Sequence, residues 1–277
     1  MAVLLLAVVL PALLLAGTPA SVAAQAPPDL AARLDPLLAD PRLAGAQYAV
    51  VVRDAATGTV LYDRNGSVRL IPGSNQKLFV AAAAFAALGA DFRFRTSLLS
   101  SGRQRGDVLE GHLYLKGTGD PTMTPARWEE LAGQLAVLGI TRVRGRLIAD
   151  DSWFDDIRLG PDWAWNDETF GFAPQTSALT ISPDEELDVN SVLVEVSPGE
   201  RVGSPAGITV TPATDYVRVV NRIWPEDPPG TGRLFVRRDH GANRVVVEGM
   251  IPLGAMPVRR AISVWEPTAY AAGVFAA

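Results

Sequence analysis

The sequence has no cysteine in 277 residues, which excludes a disulfide framework, a thiolate nucleophile and Cys-ligated zinc. Histidine is nearly as scarce. His112 and His240 are the only two, neither lies in a His-x-Glu or His-x-x-x-His spacing, and two isolated histidines do not build a His-rich catalytic metal site. Both read as surface or strand positions, and no metal is expected. Positive charge is also short: 25 Lys+Arg against 30 Asp+Glu leave a net charge of -5. There is no basic excess for a phosphate backbone, so nucleic acid is not an expected partner. Any chemistry must rest on Ser, Lys, Asp, Glu or Tyr. Lysine itself is rare, with Lys77 and Lys116 set in an arginine-rich background. Where arginine is the habit, a lysine points to a role that needs a removable proton.

No charged side chain occurs from Met1 to Ala24. The run AVLLLAVVLPALLLAG, followed by small residues up to Val22-Ala23-Ala24, has the pattern of a signal-peptide core and cleavage site. It predicts cleavage after Ala24, export across the inner membrane and a mature chain from near Gln25, still at -5. The run is short and broken by proline for a membrane span. It also lacks the usual Lys or Arg of the n-region, and an uncleaved anchor is the alternative. Without cysteine, export is not exploited for disulfides.

A chain of this length accommodates one or two domains at roughly 150 residues each. Residues 30–38 have apolar positions at helical spacing, predicting a short first helix. Residues 47–54 and 60–63 are β-rich runs separated by Ala55-Ala56-Thr57-Gly58, which predicts a hairpin. Ile71-Pro72-Gly73-Ser74 breaks the pattern, and from Asn75 the stretch through AAAAFAAL predicts a helix stopped by Gly89. Beyond Phe92 the texture changes to short β-like runs at 94–99, 112–116, 143–149, 192–196, 217–223, 244–248 and 262–265. One helix interrupts them, with Thr124 as N-cap and Pro125 at its first position, running to Gly139. The last eleven residues read as the opening turns of an amphipathic helix with no stop signal, so the sequence is expected to be a fragment of a longer gene product.

Ser74 and Lys77 stand at i and i+3, neighbours on one helix face. A serine hydroxyl is a poor nucleophile until a base takes its proton, and Ser–Lys pairs are a variant of the Ser–His logic. At the start of a helix the backbone N–H groups and the dipole also favour a developing oxyanion. Ser-x-x-Lys alone recurs by chance in ordinary helices. Asp150-Asp151 and Asp155-Asp156 suggest either a cation site or solvated turns. Trp153, Trp163 and Trp165 form either a glycan-stacking surface or the packing of a small β domain.

The stretch LIPGSNQKLFVAAAAFAALG around Ser74 and Lys77 resembles the active-site helix of the serine penicillin-recognising enzymes. Within them it is similar to the class C low-molecular-mass penicillin-binding proteins, the D-alanyl-D-alanine carboxypeptidase/endopeptidase family. HLYLKGTGDPTMT (from His112), GITRVRGRLIADDSWFD (from Gly139) and WAWNDETFGFAPQTSAL (from Trp163) resemble the same family in the same order. The resemblance implies an α+β fold, a partial transpeptidase-like, serine β-lactamase-like domain carrying inserted β-rich domains. The division it implies is a signal segment at 1–24, the N-terminal part of the catalytic domain at 25–93, inserted domains at 94–261 and the start of the return at 262–277. The first-domain sheet is then expected to lack strands.

By the same resemblance Ser74 is the acylated nucleophile and Lys77 its proton acceptor, with the Ser74 N–H as half the oxyanion hole. Asp167 and Phe172 fall where the family recognises the free amine of a peptidoglycan stem-peptide side chain. The plainer readings are a carboxylate capping a turn for Asp167 and a packed aromatic for Phe172. No cofactor is implied. The implied ligands are peptidoglycan stem peptides as substrate and β-lactams as inhibitors, at an exported, cell-wall-associated location. The sequence departs from the family in having no Ser-x-Asn or Tyr-x-Asn and no Lys-Thr-Gly. Lys116-Gly117-Thr118-Gly119 only mimics the latter and reads as a structural turn. The implied function is a serine D-alanyl-D-alanine carboxypeptidase/endopeptidase. The alternatives are a catalytically incomplete peptidoglycan-binding protein and, more weakly, a β-lactamase-type hydrolase, which the long insertion disfavours.

Overall fold

A computed structural model describes residues 30–201, 203–223 and 233–277; the 1–24 signal-segment expectation lies outside them. The chain divides into two compact units between Asp91 and Phe92.

The first unit opens with helix α1 (Leu30–Leu38), at the residues its periodicity predicted. A single 3-10 turn, Pro41–Leu43, follows, with Asp40 accepting from the Arg42 N–H at 2.8 Å. Strands β1 (Val50–Arg53) and β2 (Val60–Arg64) form a two-stranded antiparallel sheet. Their turn closes because the Asp54 carboxylate accepts from the Ala56 and Thr57 N–H groups, an Asx turn that leaves Gly58 at φ 71°. Tyr62 is the buried residue of this sheet, and its hydroxyl donates to Asp35 of α1 at 2.6 Å. Helix α2 (Gln76–Leu88) then ends at Gly89, φ 80°, as the stop signal predicted.

The second unit is built from three-stranded sheets. Its chain order is β3 (Thr96–Ser100), β4 (Arg103–Arg105), β5 (Val108–Glu110), β6 (Leu113–Gly117), α3 (Pro125–Val137), β7 (Arg142–Arg144) and β8 (Leu147–Asp150). After a long loop come β9 (Ser191–Ser197), β10 (Gly207–Thr211), β11 (Arg218–Ile223), β12 (Leu234–Arg238), β13 (Arg244–Gly249), β14 (Val258–Ser263) and α4 (Pro267–Ala276). β6 pairs antiparallel with β3 and parallel with β8, while β5 pairs antiparallel with β4 and parallel with β7. Parallel neighbours need a crossover, and α3 supplies it for both. The run 143–149, expected as one strand, is split because Gly145 bends against the preceding turn. A Cβ there would lie 1.9 Å from the Gly111 carbonyl oxygen. Thr124 precedes α3 in extended conformation but makes no side-chain cap; its carbonyl accepts from the Trp128 N–H instead.

β9 is the centre of a third sheet of this unit, antiparallel to both β10 and β14, and β13 the centre of a fourth, parallel to β11 and antiparallel to β12. These central strands are valine runs with Val192, Val194, Val196, Val245, Val246 and Val247 fully buried, the near-continuous apolar pattern of strands covered on both faces. All of them but Val246 join Leu115, Trp128, Leu179 and Ile181 in one core. Residues 262–277, read from the sequence as the start of a return to the catalytic part, pack in this unit. Ile262, Val264 and Tyr270 are core residues, and the Trp128 ring meets Phe275 edge-on at 5.9 Å. Among the described residues no helix is long and apolar enough to cross a membrane.

Asp151 anchors α4. Its carboxylate pairs with Arg158 at 2.7 Å and accepts from the Thr268 hydroxyl at 2.5 Å. Burial alone would push this carboxyl up, but the bonds from Thr268 and Arg158 outweigh it and hold the group below its ordinary 3.8. A carboxyl with a depressed folded-state pKa contributes stability that is complete above its unfolded value and is lost as pH falls through the folded value. Asp151→Asn is therefore expected to destabilise the chain by about 1–3 kcal/mol at neutral pH. The gap to the parent, read by thermal melts, should close as pH drops below 3.8; a gap independent of pH contradicts the assignment.

Candidate active site

Residues 71–75 turn the chain sharply into α2. Gly73 adopts φ 50°, a left-handed conformation that glycine takes without strain, and Gly73–Asn75 form a single 3-10 turn continuous with α2. Ser74 thus enters the helix at its first turn, where backbone N–H groups lack intrahelical partners. One turn on, the Lys77 ammonium donates to Ser74 Oγ at 3.1 Å. The i, i+3 spacing read from the sequence is realised as a direct hydrogen bond between the expected nucleophile and the expected base. Ser74, Lys77 and the whole of α2 are exposed, including Leu78, Phe79, Val80 and Phe85 at 62–70%. A helix apolar on all sides normally lies buried.

Asp167 and Phe172 lie in the second unit, on the loop between β8 and β9. Among the described residues the half-buried Asp167 carboxylate has no hydrogen-bond or ion-pair partner, so it does not cap the turn. The turn is closed by backbone bonds, Asp167 N–H to Ala164 and Phe170 N–H to Asp167, both 2.9 Å. Phe172 is 72% exposed and stacks on Phe170 at 5.4 Å with 15° between the rings, so it is not a core aromatic. Both side chains are presented rather than consumed by packing.

This loop is strapped to two strands, β12 and β14. The Gly171 N–H donates to Ala261 and the Ser263 N–H to Thr169, each at 3.0 Å. The Thr169 hydroxyl brackets Arg238, donating to its carbonyl at 3.1 Å and accepting from its N–H at 2.9 Å. The Arg238 side chain, 6% exposed, donates to the carbonyls of Glu168, Asp239 and Ala242 at 2.8–3.0 Å and lies over the Trp265 ring at 5.5 Å. Burial pulls its pKa below the ordinary arginine value. Sequence reading missed Arg238 because nothing distinguishes it among 23 arginines, and it set His240 aside as isolated. His240 Nδ1 in fact lies 2.8 Å from Glu168, with its ring against Trp265.

The remaining polar candidates are structural. Lys116 pairs with Asp150 at 3.1 Å, directly across the β6/β8 register, and the Ser152 N–H and hydroxyl also bond Asp150. The Thr118 hydroxyl bridges the N–H and carbonyl of Arg95, and Gly117 packs so closely on Ala178 that a Cβ would meet its carbonyl oxygen at 2.0 Å. The Lys116-Gly117-Thr118-Gly119 segment is therefore the packed end of β6 and the bend that follows it, not the turn expected from the sequence. Among the described residues no three His, Asp or Glu side chains are grouped to hold a metal.

Residues 30–277 match the D-Ala-D-Ala carboxypeptidase 3 (S13) family. The chain is 40% identical over 270 residues to the D-alanyl-D-alanine carboxypeptidase of Actinomadura sp. strain R39, covering 96% of this chain and 50% of that protein. It is 30% identical over 233 residues to D-alanyl-D-alanine carboxypeptidase DacB of Haemophilus influenzae, covering 83% and 47%. The crystal structure of penicillin binding protein 4 (dacB) from H. influenzae superposes with a TM-score of 0.68 at 30% identity, over 82% of this chain and 49% of that one. A complex of that protein with a β-lactam superposes at 0.60 and 26% identity, over 84% and 48%. The chain thus spans about half the length of the relatives it matches.

Arg238→Met takes the guanidinium donor from three carbonyls, of which that of Glu168 keeps a second donor in the Ser263 hydroxyl and that of Asp239 one in the Ala242 N–H, and is expected to cost about 1–3 kcal/mol. Arg238→Lys, which cannot reproduce the planar fork, should recover only part of it. Chemical denaturation measures both, and full recovery by lysine contradicts the clasp.

Proposed function

The chain belongs to the D-Ala-D-Ala carboxypeptidase 3 (S13) family, and from that premise we propose that it carries the nucleophile and base of a serine D-alanyl-D-alanine carboxypeptidase/endopeptidase acting on peptidoglycan stem peptides. The observation that carries the reading is the 3.1 Å approach of Lys77 Nζ to Ser74 Oγ at the mouth of α2. A neutral Lys77 amine takes the Oγ proton along that line as Oγ attacks the carbonyl carbon of a D-Ala-D-Ala or D-Ala-linked cross-link bond. The developing oxyanion is met by the Ser74 N–H and the positive end of the helix dipole. When the C–N bond breaks, the proton passes to the leaving amine, and water then releases the acyl group from Ser74. A β-lactam opens on the same oxygen, but its leaving nitrogen stays tethered to the acyl group.

Asp167 and Phe172 belong to the same proposal as the pair that receives the ammonium-bearing side chain of the stem peptide. A carboxylate with no partner of its own, on the same loop as an exposed aromatic ring, suits an ammonium. The uncovered apolar surface of α2 supports the reading as well, since a base lysine works where burial favours its neutral form. A covering for α2 would supply that burial. The charge-free apolar segment at 1–24 supports export to the cell-wall compartment, and the chemistry calls for no cofactor.

The test is acylation by a fluorescent penicillin of the protein as its cell makes it. Ser74→Ala is expected to abolish labelling. Lys77→Ala should slow it by about 100-fold or more with the circular dichroism unchanged; a Lys77→Ala protein that labels at the parent rate removes the assigned base.

A further inference from the structure

The loop that carries Asp167 borders a second feature that the acyl-transfer chemistry does not use. Between Trp165–Phe170 of this loop and the β12/β13 hairpin lies a hollow of about 630 Å³. Trp165, 79% exposed, and Phe170 form one wall, and Arg237, Asp239, His240 and Arg244 form the other. A tryptophan left in water forgoes one of the largest burial gains available to a side chain. Here it borders a row of charged groups held in fixed geometry.

The wiring of that row selects the ligand class. Asp239 accepts from Arg237 at 2.8 Å and from Arg244 at 2.5 Å, Arg237 also reaches Glu248 at 3.4 Å, and Glu168 holds His240 at 2.8 Å. Arg238 beneath them bonds backbone carbonyls through its two terminal nitrogens, while its buried Nε–H has no partner among the described residues. Each charge therefore has its answer, and an anionic ligand would have to displace Asp239 or lie beside it. A purely apolar ligand would strip water from all of these groups and return nothing. Hydrogen-bonding capacity nevertheless remains. A guanidinium has five N–H donors and a carboxylate about four lone-pair sites, more than the pairs consume. The hollow thus offers interleaved donors and acceptors, without net demand for a counter-ion, beside an indole. That combination fits a neutral ring with one apolar C–H face and an edge of hydroxyl and amide groups, each able to donate and accept.

We propose that this hollow binds a segment of glycan, an N-acetylated hexosamine ring stacking on Trp165 with its polar edge bonded by the Arg244–Asp239 and His240–Glu168 pairs. Choosing that sugar class rests on the peptidoglycan reading above; the preference for a neutral sugar rests on the hollow alone. Phe170, at its rim, stacks on Phe172, so the glycan surface is continuous with the residues proposed to hold the stem-peptide amine. The fold thereby reads a strand and its peptide branch on one loop.

The experiment is calorimetric titration of the chain with an N-acetylglucosamine tetramer and with glycan strands stripped of their peptides by an amidase. Saturable binding to both is expected, lowered about tenfold or more by Trp165→Ala, partly kept by Trp165→Phe, and unchanged by Trp153→Ala, whose side chain is exposed elsewhere on the same unit. Trp165 is exposed, so its loss should leave the melting temperature in place. No saturable binding, binding indifferent to Trp165→Ala, or displacement of the glycan by a sugar-free stem tripeptide overturns the proposal. Penicillin labelling is scored separately. Labelling without glycan binding defeats this inference alone, and glycan binding without labelling defeats the acyl-transfer reading while leaving the hollow as a sugar site.

Discussion

One buried guanidinium organises the face of the second unit that carries Asp167, Phe172 and the Trp165 hollow. Arg238 satisfies the carbonyls of Glu168, Asp239 and Ala242 at once and lies over Trp265, tying the β8/β9 loop, the β12/β13 hairpin and the end of β14 into one body. A charge in that position is costly unless its donors are occupied, and here both terminal nitrogens are bonded while the buried Nε–H, among the described residues, is not. Asp167 and Phe172 are thereby held at the surface without being used in packing, and the Trp165 hollow keeps its two walls. The amine-recognition and glycan proposals both depend on this clasp, whereas the Ser74–Lys77 pair does not.

That pair rests on a different constraint, the pitch of a helix. Residues at i and i+3 meet whether or not anything packs around them, and so Lys77 reaches Ser74 even though α2 has no buried residue. Proximity is only part of catalysis. A lysine base needs burial, and an oxyanion needs a second donor. Neither is available to an exposed helix apolar on every side. The relatives matched here are about twice as long as this chain.

What could be read from the sequence follows the same division between local and non-local. α1, the β1/β2 turn, α2 with its Gly89 stop and α3 from Pro125 are specified by neighbours in sequence, and each appears at or within a few residues of its expected place. β4, β5 and β12 are not legible in the sequence because they are short or carry charged residues, and the uncharged β10, which opens on glycine and ends before proline, is not legible either. β14 begins four residues before the expected run, since its register is set by β9 rather than by its own composition. Ser74 and Lys77 announce themselves by spacing, and Asp167 and Phe172 through resemblance. Arg238, Glu168 and His240 had no signal at all: their meaning is created by a contact across some 70 residues.

The central claim is that Ser74 Oγ is the atom that bonds to substrate. Its most direct measurement is peptide mapping by mass spectrometry after incubating the protein, as its cell makes it, with a β-lactam. Trypsin releases the segment from Leu70 to Lys77, and the account predicts that the full mass of the opened β-lactam resides on this peptide, at Ser74. An adduct on any other residue, or none on a protein that still hydrolyses the drug, would contradict it.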